Sequence, residues 1–136
     1  MRTFSIVKPD AVAAGNTGAI LQSLEAAGFR LVALRLVRMT KAEAEGFYGV
    51  HRERPFFSSL TDFMSSGPAV VVALERDDAI RELRRLMGAT NPADAAPGTV
   101  RARFASSIER NAIHGSDSPE SAAFELGYFF PGVELG

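Results

Sequence analysis

The chain has 136 residues, a length that suits one domain with a sizeable core, and 46% of them are hydrophobic and 23% charged. A net charge of −1 argues against nucleic-acid binding by bulk electrostatics, while leaving room for a local basic cleft. With no cysteine in the sequence, disulfides, cysteine-based zinc sites and a thiol nucleophile are excluded.

The first residues, MRTFSIVKPD, lack the long apolar region of a signal peptide, and no apolar run approaches the roughly 20 residues of a membrane span. A cytoplasmic protein that does not engage a membrane is expected. Residues 3–7, TFSIV, predict a short strand ended by Lys8-Pro9-Asp10, because proline cannot donate to a ladder and turns the residue before it away from helix. In residues 17–27, Ile20, Leu21, Leu24 and Ala27 share one face at helical spacing, and Gly28 supplies a stop. Residues 29–39, FRLVALRLVRM, predict a long strand with apolar residues on both faces, either covered on both sides or paired at an interface.

Thr40 predicts the N-cap of a short helix, with Glu43 as its capping-box partner. The pattern breaks at Pro55 and resumes as a second short helix bearing Leu60, Phe63 and Met64. Residues 68–75, PAVVVALE, predict a buried strand with a continuous apolar centre. Residues 77–88 open with acids and end in Arg84, Arg85 and Gly88, an order that suits the helix dipole and a glycine stop. Residues 89–99 read as a loop with two prolines and a glycine, followed by a short connecting segment and a brief strand at 112–114. Ser118 as N-cap and Pro119 at the first helical position begin a last helix, with Gly127 marking its end before a short tail. The order gives a β-α-β-β-α-β core. The expected architecture is an α/β (α+β) sandwich of the ferredoxin-like kind, a four-stranded antiparallel sheet covered by helices, in a single domain over residues 1–136.

No Walker A pattern is present and no G-x-G-x-x-G follows a strand, so any phosphate must be handled by side chains. The two histidines lie far apart in a chain without cysteine, and a histidine-based metal site is not expected. His114 sits in NAIHGSDS, residues 111–118, where an apolar pair breaks into a glycine turn. A histidine beside apolar residues has a structural reading as well as a catalytic one. The neighbouring helix start favours the second, because its free backbone N–H groups could hold an anion that a neutral imidazole attacks. A nucleophilic histidine needs its other ring nitrogen fixed by an acceptor. Glu125 on the next helix can serve, or else it is a solvated helix residue. Arg84 and Arg101 flank the loop that holds Thr90, and arginine forks match phosphate oxygens. Phe56, in RPFF, packs in the core or, if exposed, stacks on a base. Lysine occurs only at Lys8 and Lys41 among many arginines, which makes Lys8 the rarer choice.

NAIHGSDS resembles the active-site signature of nucleoside diphosphate kinases. IVKPDAV, FYGVHRERPFF, SGPAVV, RLMGATNPADAAPGTVRARF and HGSDSPESA follow in that family's order and spacing, from residue 3 to about residue 130. The resemblance implies a kinase that moves the γ-phosphate of a nucleoside triphosphate, mainly ATP, to a nucleoside diphosphate through a phosphohistidine, with ping-pong kinetics. It implies that His114 attacks through Nδ1, with Glu125 holding Nε2 and Ser116 assisting. Lys8 and Asn111 would contact the sugar hydroxyls, and Lys8 the transferred phosphate as well. Tyr48 and Arg101 would face the γ-phosphate, and Arg84 and Thr90 the β-phosphate. Phe56 would lie against the base, with Leu60 and Ile108 lining the same slot. Mg2+ would ride on the nucleotide phosphates, with a water-mediated contact from Asp117.

The resemblance also implies a homo-oligomer built from dimers, tetramer or hexamer, with the long second strand near the two-fold. Two positions depart from the family's usual pattern: Arg103 stands where an aspartate is common, and Tyr128 where tryptophan is frequent. The rival reading is a ferredoxin-like nucleic-acid-binding module, but residues 3–7, 29–39 and 68–75 hold no RNP-type aromatic motif, and no specific nucleic acid is expected as a partner. A histidine phosphocarrier without nucleotide binding would leave Arg84, Thr90, Arg101 and Phe56 without a reason to recur in this order.

Overall fold

A computed structural model describes residues 1–135, with the side chains of 133 and 134 excepted. The elements are β1 (Arg2–Val7), α1 (Pro9–Ala13), α2 (Thr17–Ala26), β2 (Arg30–Val37), α3 (Lys41–Phe47), α4 (Phe57–Met64), β3 (Ala69–Glu75), α5 (Ala79–Met87), α6 (Val100–Phe104), β4 (Ile113–Gly115), α7 (Pro119–Phe129) and α8 (Gly132–Leu135). The four strands form one sheet in the order β2-β3-β1-β4. Each neighbouring pair is antiparallel, the ferredoxin-like arrangement expected from the sequence.

The period of two along β1 divides the core. Phe4 and Ile6 face a cluster with Ala44 and Phe47 of α3, Met64 of α4, and Leu126 and Phe129 of α7. Val7 belongs to the opposite cluster, with Ala11 of α1, Ile20 and Leu24 of α2, Leu83 and Met87 of α5, and Val100 of α6. β3 contributes to both faces and is buried from Ala69 to Leu74, which explains its unbroken apolar run. The sheet is therefore covered by helices on each side.

Local signals account for several boundaries. The Thr40 side chain accepts from the Glu43 N–H while Glu43 reaches back to the Thr40 N–H, completing the expected box. Ser118 caps α7 with Pro119 at its first position, and Ser121 closes that box. Gly88, at φ 88°, ends α5 in a conformation that favours glycine.

Other expectations need correction. α1 starts directly after β1, since Pro9 stops a strand and equally starts a helix. α6 occupies part of the expected connecting segment, capped by Thr99. α7 runs through Gly127 to Phe129, because the Tyr128 and Phe129 rings pack on Phe47 at 5.7 and 5.4 Å and carry the helix onward. The tail forms α8, and Gly136 lies outside the described residues. β2 is an edge strand and is not covered on both sides: Leu34 and Leu36 are exposed. Among the described residues no helix is long and apolar enough to cross a membrane.

Candidate active site

β4 positions the central residue. Pairing of Ile6 with His114 sends the imidazole to the α3–α7 side of the sheet. There it meets the rings of Phe4, Phe47 and Tyr48 at centroid distances of 6.2, 5.4 and 6.0 Å. Its Nε2 lies 2.7 Å from Glu125 Oε1. The buried Ser116 hydroxyl donates to that same oxygen at 2.8 Å. Glu125 is thus a buried residue held in place and not a solvated one. The pairing fixes the ring and leaves Nδ1 with a lone pair when Nε2 carries the proton.

Gly115 serves packing here. A Cβ on it would come within 2.5 Å of Met87 Sδ and 2.9 Å of Leu83 Cδ2, so at this approach of β4 to α5 any other residue after the histidine would make those buried side chains shift. The expected free N–H groups at the following turn are not free. The Ser116 N–H donates to the Phe4 carbonyl, and the Asp117 and Ser118 N–H groups both donate to Ser121 Oγ. The positive charge available to an anion here belongs instead to side-chain cations.

Those cations line a cleft of about 320 Å³ that holds His114, Lys8, Tyr48, Phe56, Leu60, Thr90, Arg101, Ile108 and Asn111 together. Lys8, only 5% exposed, donates to the Glu109 carbonyl and to Asn111 Oδ1, both at 2.9 Å. Burial lowers its pKa to about 8, against the opposing pull of Asp10. Asn111 Nδ2 donates to the Thr90 carbonyl at 3.2 Å, tying this end of the cleft to the 89–99 loop. Arg101 donates to the carbonyls of Gly88 and Ile113 at 3.1 and 2.8 Å, and its buried Nε has no hydrogen-bond partner. Burial, then Arg84, lowers its pKa to about 10. Burial and then the Glu125 charge hold the Tyr48 phenol well above its ordinary range, so it remains an O–H donor.

Phe56 and Ile108 are 47% and 59% exposed and form an apolar mouth with Leu60. Arg84 stands outside the cleft lining, on the exposed face of α5, where it donates to the Gly115 carbonyl at 3.3 Å. Asp117 is exposed nearby. The Ser121 hydroxyl donating to it, with Arg84 close, holds its carboxyl below the usual range. Among the described residues no group of three or more His, Asp or Glu side chains is placed to hold a metal. The departures from the family pattern find local partners: Arg103 donates to Ser23 Oγ and lies over the Phe104 ring, and the Tyr128 hydroxyl donates to the Glu43 carbonyl at 2.8 Å. Sequence reasoning missed Glu109 and Ile113 as cleft residues, and it missed Asp10, whose carboxylate meets the backbone of β4's approach.

The chain as a whole is similar to known proteins. A family model described as nucleoside diphosphate kinase matches residues 1–135. Curated nucleoside diphosphate kinases of Desulfovibrio desulfuricans and Desulfosudis oleivorans are 61% and 60% identical, over 98% of this chain and 96% of each relative. The solved Aquifex aeolicus nucleoside diphosphate kinase superposes with a TM-score of 0.97 at 48% identity, covering 99% of this chain and 98% of that one. A halophilic nucleoside diphosphate kinase from Halobacterium salinarum, solved in complex with CDP, gives a TM-score of 0.95 at 40% identity, over 100% of this chain and 91% of that one.

Proposed function

The chain belongs to the nucleoside diphosphate kinase family, and on that premise we propose how its residues divide the work of phosphoryl transfer. The enzyme is a phosphotransferase that takes the γ-phosphate of a nucleoside triphosphate, mainly ATP, and gives it to a nucleoside diphosphate; a nucleic-acid-binding role is not favoured. His114 is the acceptor. Its Nδ1 attacks the γ-phosphorus, a P–N bond forms, and the bond to the β-phosphate oxygen breaks to release the diphosphate. A second diphosphate then attacks the phosphohistidine, reversing the step. Glu125 accepts from Nε2–H and stabilises the positive ring that forms, with Ser116 holding the carboxylate.

Lys8, Tyr48 and Arg101 supply donors to the phosphoryl group in transit, where charge develops in a buried cleft. Arg84 and Thr90 hold the β-phosphate, and Asn111, with Lys8, the sugar hydroxyls. Phe56, with Leu60 and Ile108, sandwiches the base without reading its edge. The donor set suits Mg2+ carried on the phosphates. Asp117, exposed and with its carboxyl held below the usual range, is the residue that would meet the water shell of such an ion, whose contribution would be to neutralise phosphate charge.

We further place the protein in the cytoplasm, as one domain over residues 1–136. It assembles as a tetramer or hexamer of dimers, with the exposed apolar residues of β2 at the two-fold. The observation that carries the catalytic reading is the 2.7 Å contact between His114 Nε2 and Glu125 at the edge of a cleft lined by Lys8 and Arg101. Incubation with γ-labelled ATP, followed by GDP, tests it. Label should enter the protein and then leave as GTP. A protein that takes no label from ATP, or keeps it in the presence of GDP, contradicts the reading.

A further inference from the structure

Ala112 has a φ of 73°, a left-handed value in a residue that is not glycine, immediately before the strand that carries His114. The Ile113 N–H donates to the Asn111 carbonyl at 2.8 Å, closing a three-residue turn around it. A γ-turn with positive φ is rare and strained, so the surroundings must hold it. Ala112 is fully buried, and both its backbone polar groups are taken by one segment. Its carbonyl accepts from the Lys8 N–H at 2.9 Å, and its N–H donates to Asp10 Oδ2 at 3.1 Å. The other Asp10 oxygen, Oδ1, is buried and makes no hydrogen bond. The carboxylate therefore reaches out of α1 for a single N–H. On one side of that N–H stands Asn111, bonded to Lys8 Nζ and to the Thr90 carbonyl. On the other side, two residues along, stands His114.

We propose that Asp10 is a positioning residue: by accepting the Ala112 N–H it clamps a strained turn that aims Asn111 and His114 into the cleft. The proposal rests on the reading of His114 as phosphoryl acceptor. Asp10 touches no part of the substrate. Its effect passes through the backbone, and loss of the clamp lets the turn relax toward negative φ and rotates the residues on either side.

The test is single-turnover labelling of His114 by γ-labelled ATP, measured alongside thermal unfolding. Asp10→Ala should slow labelling roughly ten- to a hundredfold, the scale of a small misplacement of a reacting group. Asp10→Asn, which keeps an acceptor oxygen, should retain more of the rate. Adding Ala112→Gly to Asp10→Ala should recover most of the loss, because glycine adopts the positive φ without a clamp. A purely structural role predicts a lower Tm with an unchanged labelling rate in the folded enzyme. Wild-type labelling in Asp10→Ala overturns the proposal, and so does a slow Asp10→Ala protein that Ala112→Gly fails to speed. If Asp10→Ala does not fold, the double variant with Ala112→Gly, whose turn needs no clamp, should fold and label His114 at close to the wild-type rate, and slow labelling by it overturns the proposal. Absence of labelling in the wild-type protein would instead sink the phosphohistidine reading, which keeps the two failures apart.

Discussion

The two ends of the cleft are built in opposite ways. At one end Lys8, Arg101 and Asn111 are 5%, 7% and 3% exposed, and each is anchored by hydrogen bonds to backbone carbonyls. His114 stands among them, its ring fixed by Glu125 and walled by three aromatic rings. At the other end Phe56 and Ile108 stand about half exposed and offer only apolar surface. Donors held rigidly in a buried place act strongly on developing charge and need no reorganisation when it appears. An exposed apolar slot grips any flat ring and distinguishes poorly among them. On the function proposed above, the buried end does the chemistry and the open one supplies tolerance.

The largest effect should come from the centre of the buried end. His114→Ala should abolish exchange between ATP and other diphosphates while leaving thermal unfolding close to wild type. Substantial residual turnover would mean that another group carries the phosphate. Glu125→Gln keeps the shape but removes the charge that favours the cationic ring. It should lower kcat roughly ten- to a thousandfold, on the scale of one lost charge-assisted contact, with nucleotide affinity nearly unchanged. A wild-type rate of single-turnover labelling in that variant would leave the 2.7 Å contact without a chemical role.

At the open end the effect should be smaller and blind to the base. Phe56→Ala removes a stacking face worth about 1–3 kcal/mol, so KM should rise roughly five- to 150-fold for ATP, GTP and their deoxy forms alike. In the wild-type enzyme kcat/KM for these substrates should agree within roughly ten- to a hundredfold. A preference of about ten-thousandfold for one base would demand a hydrogen-bonding pocket at this end and would erase the contrast.

The pH dependence set by Lys8 is the most graded of these effects, and the most specific. Its folded pKa of about 8 lies below the ordinary value of 10.5. As pH rises through about 8 the free enzyme loses this charge, so kcat/KM should fall on its basic limb. Stability moves the other way. Between about 8 and 10.5 the unfolded chain keeps a proton that the folded chain has released, so the Lys8 contribution to folding rises with pH. Comparison with Lys8→Met isolates both trends. An identical pH profile in that variant would show that Lys8 is not the titrating group.

Much of this was legible in the sequence because the signals are local. The Thr40 and Ser118 caps, the Gly88 stop and the apolar run of β3 each act within a few residues. The short helices α1 and α6 were not, since their five residues give too little periodicity to stand out from Pro9 and the Pro97-Gly98 turn. The continuation of α7 past Gly127 depends on Phe47, far away in the chain. The same distance hid the site's supports. Asp10 and Ala112 meet only when β1 and β4 approach, and the closeness of Gly115 to α5 has no trace in its neighbours. The N–H groups after Gly115 were expected to be free because a helix start ordinarily leaves them so, but Ser121 and the Phe4 carbonyl occupy them.

The central claim is that the buried end of the cleft exists to carry a phosphoryl group on one imidazole. Peptide mapping of the protein by mass spectrometry, after incubation with ATP and Mg2+ and without exposure to acid, tests this directly. The account predicts one acid-labile phosphate, on His114, that disappears when GDP is added. Phosphate on another residue, or on His114 but indifferent to GDP, would contradict it.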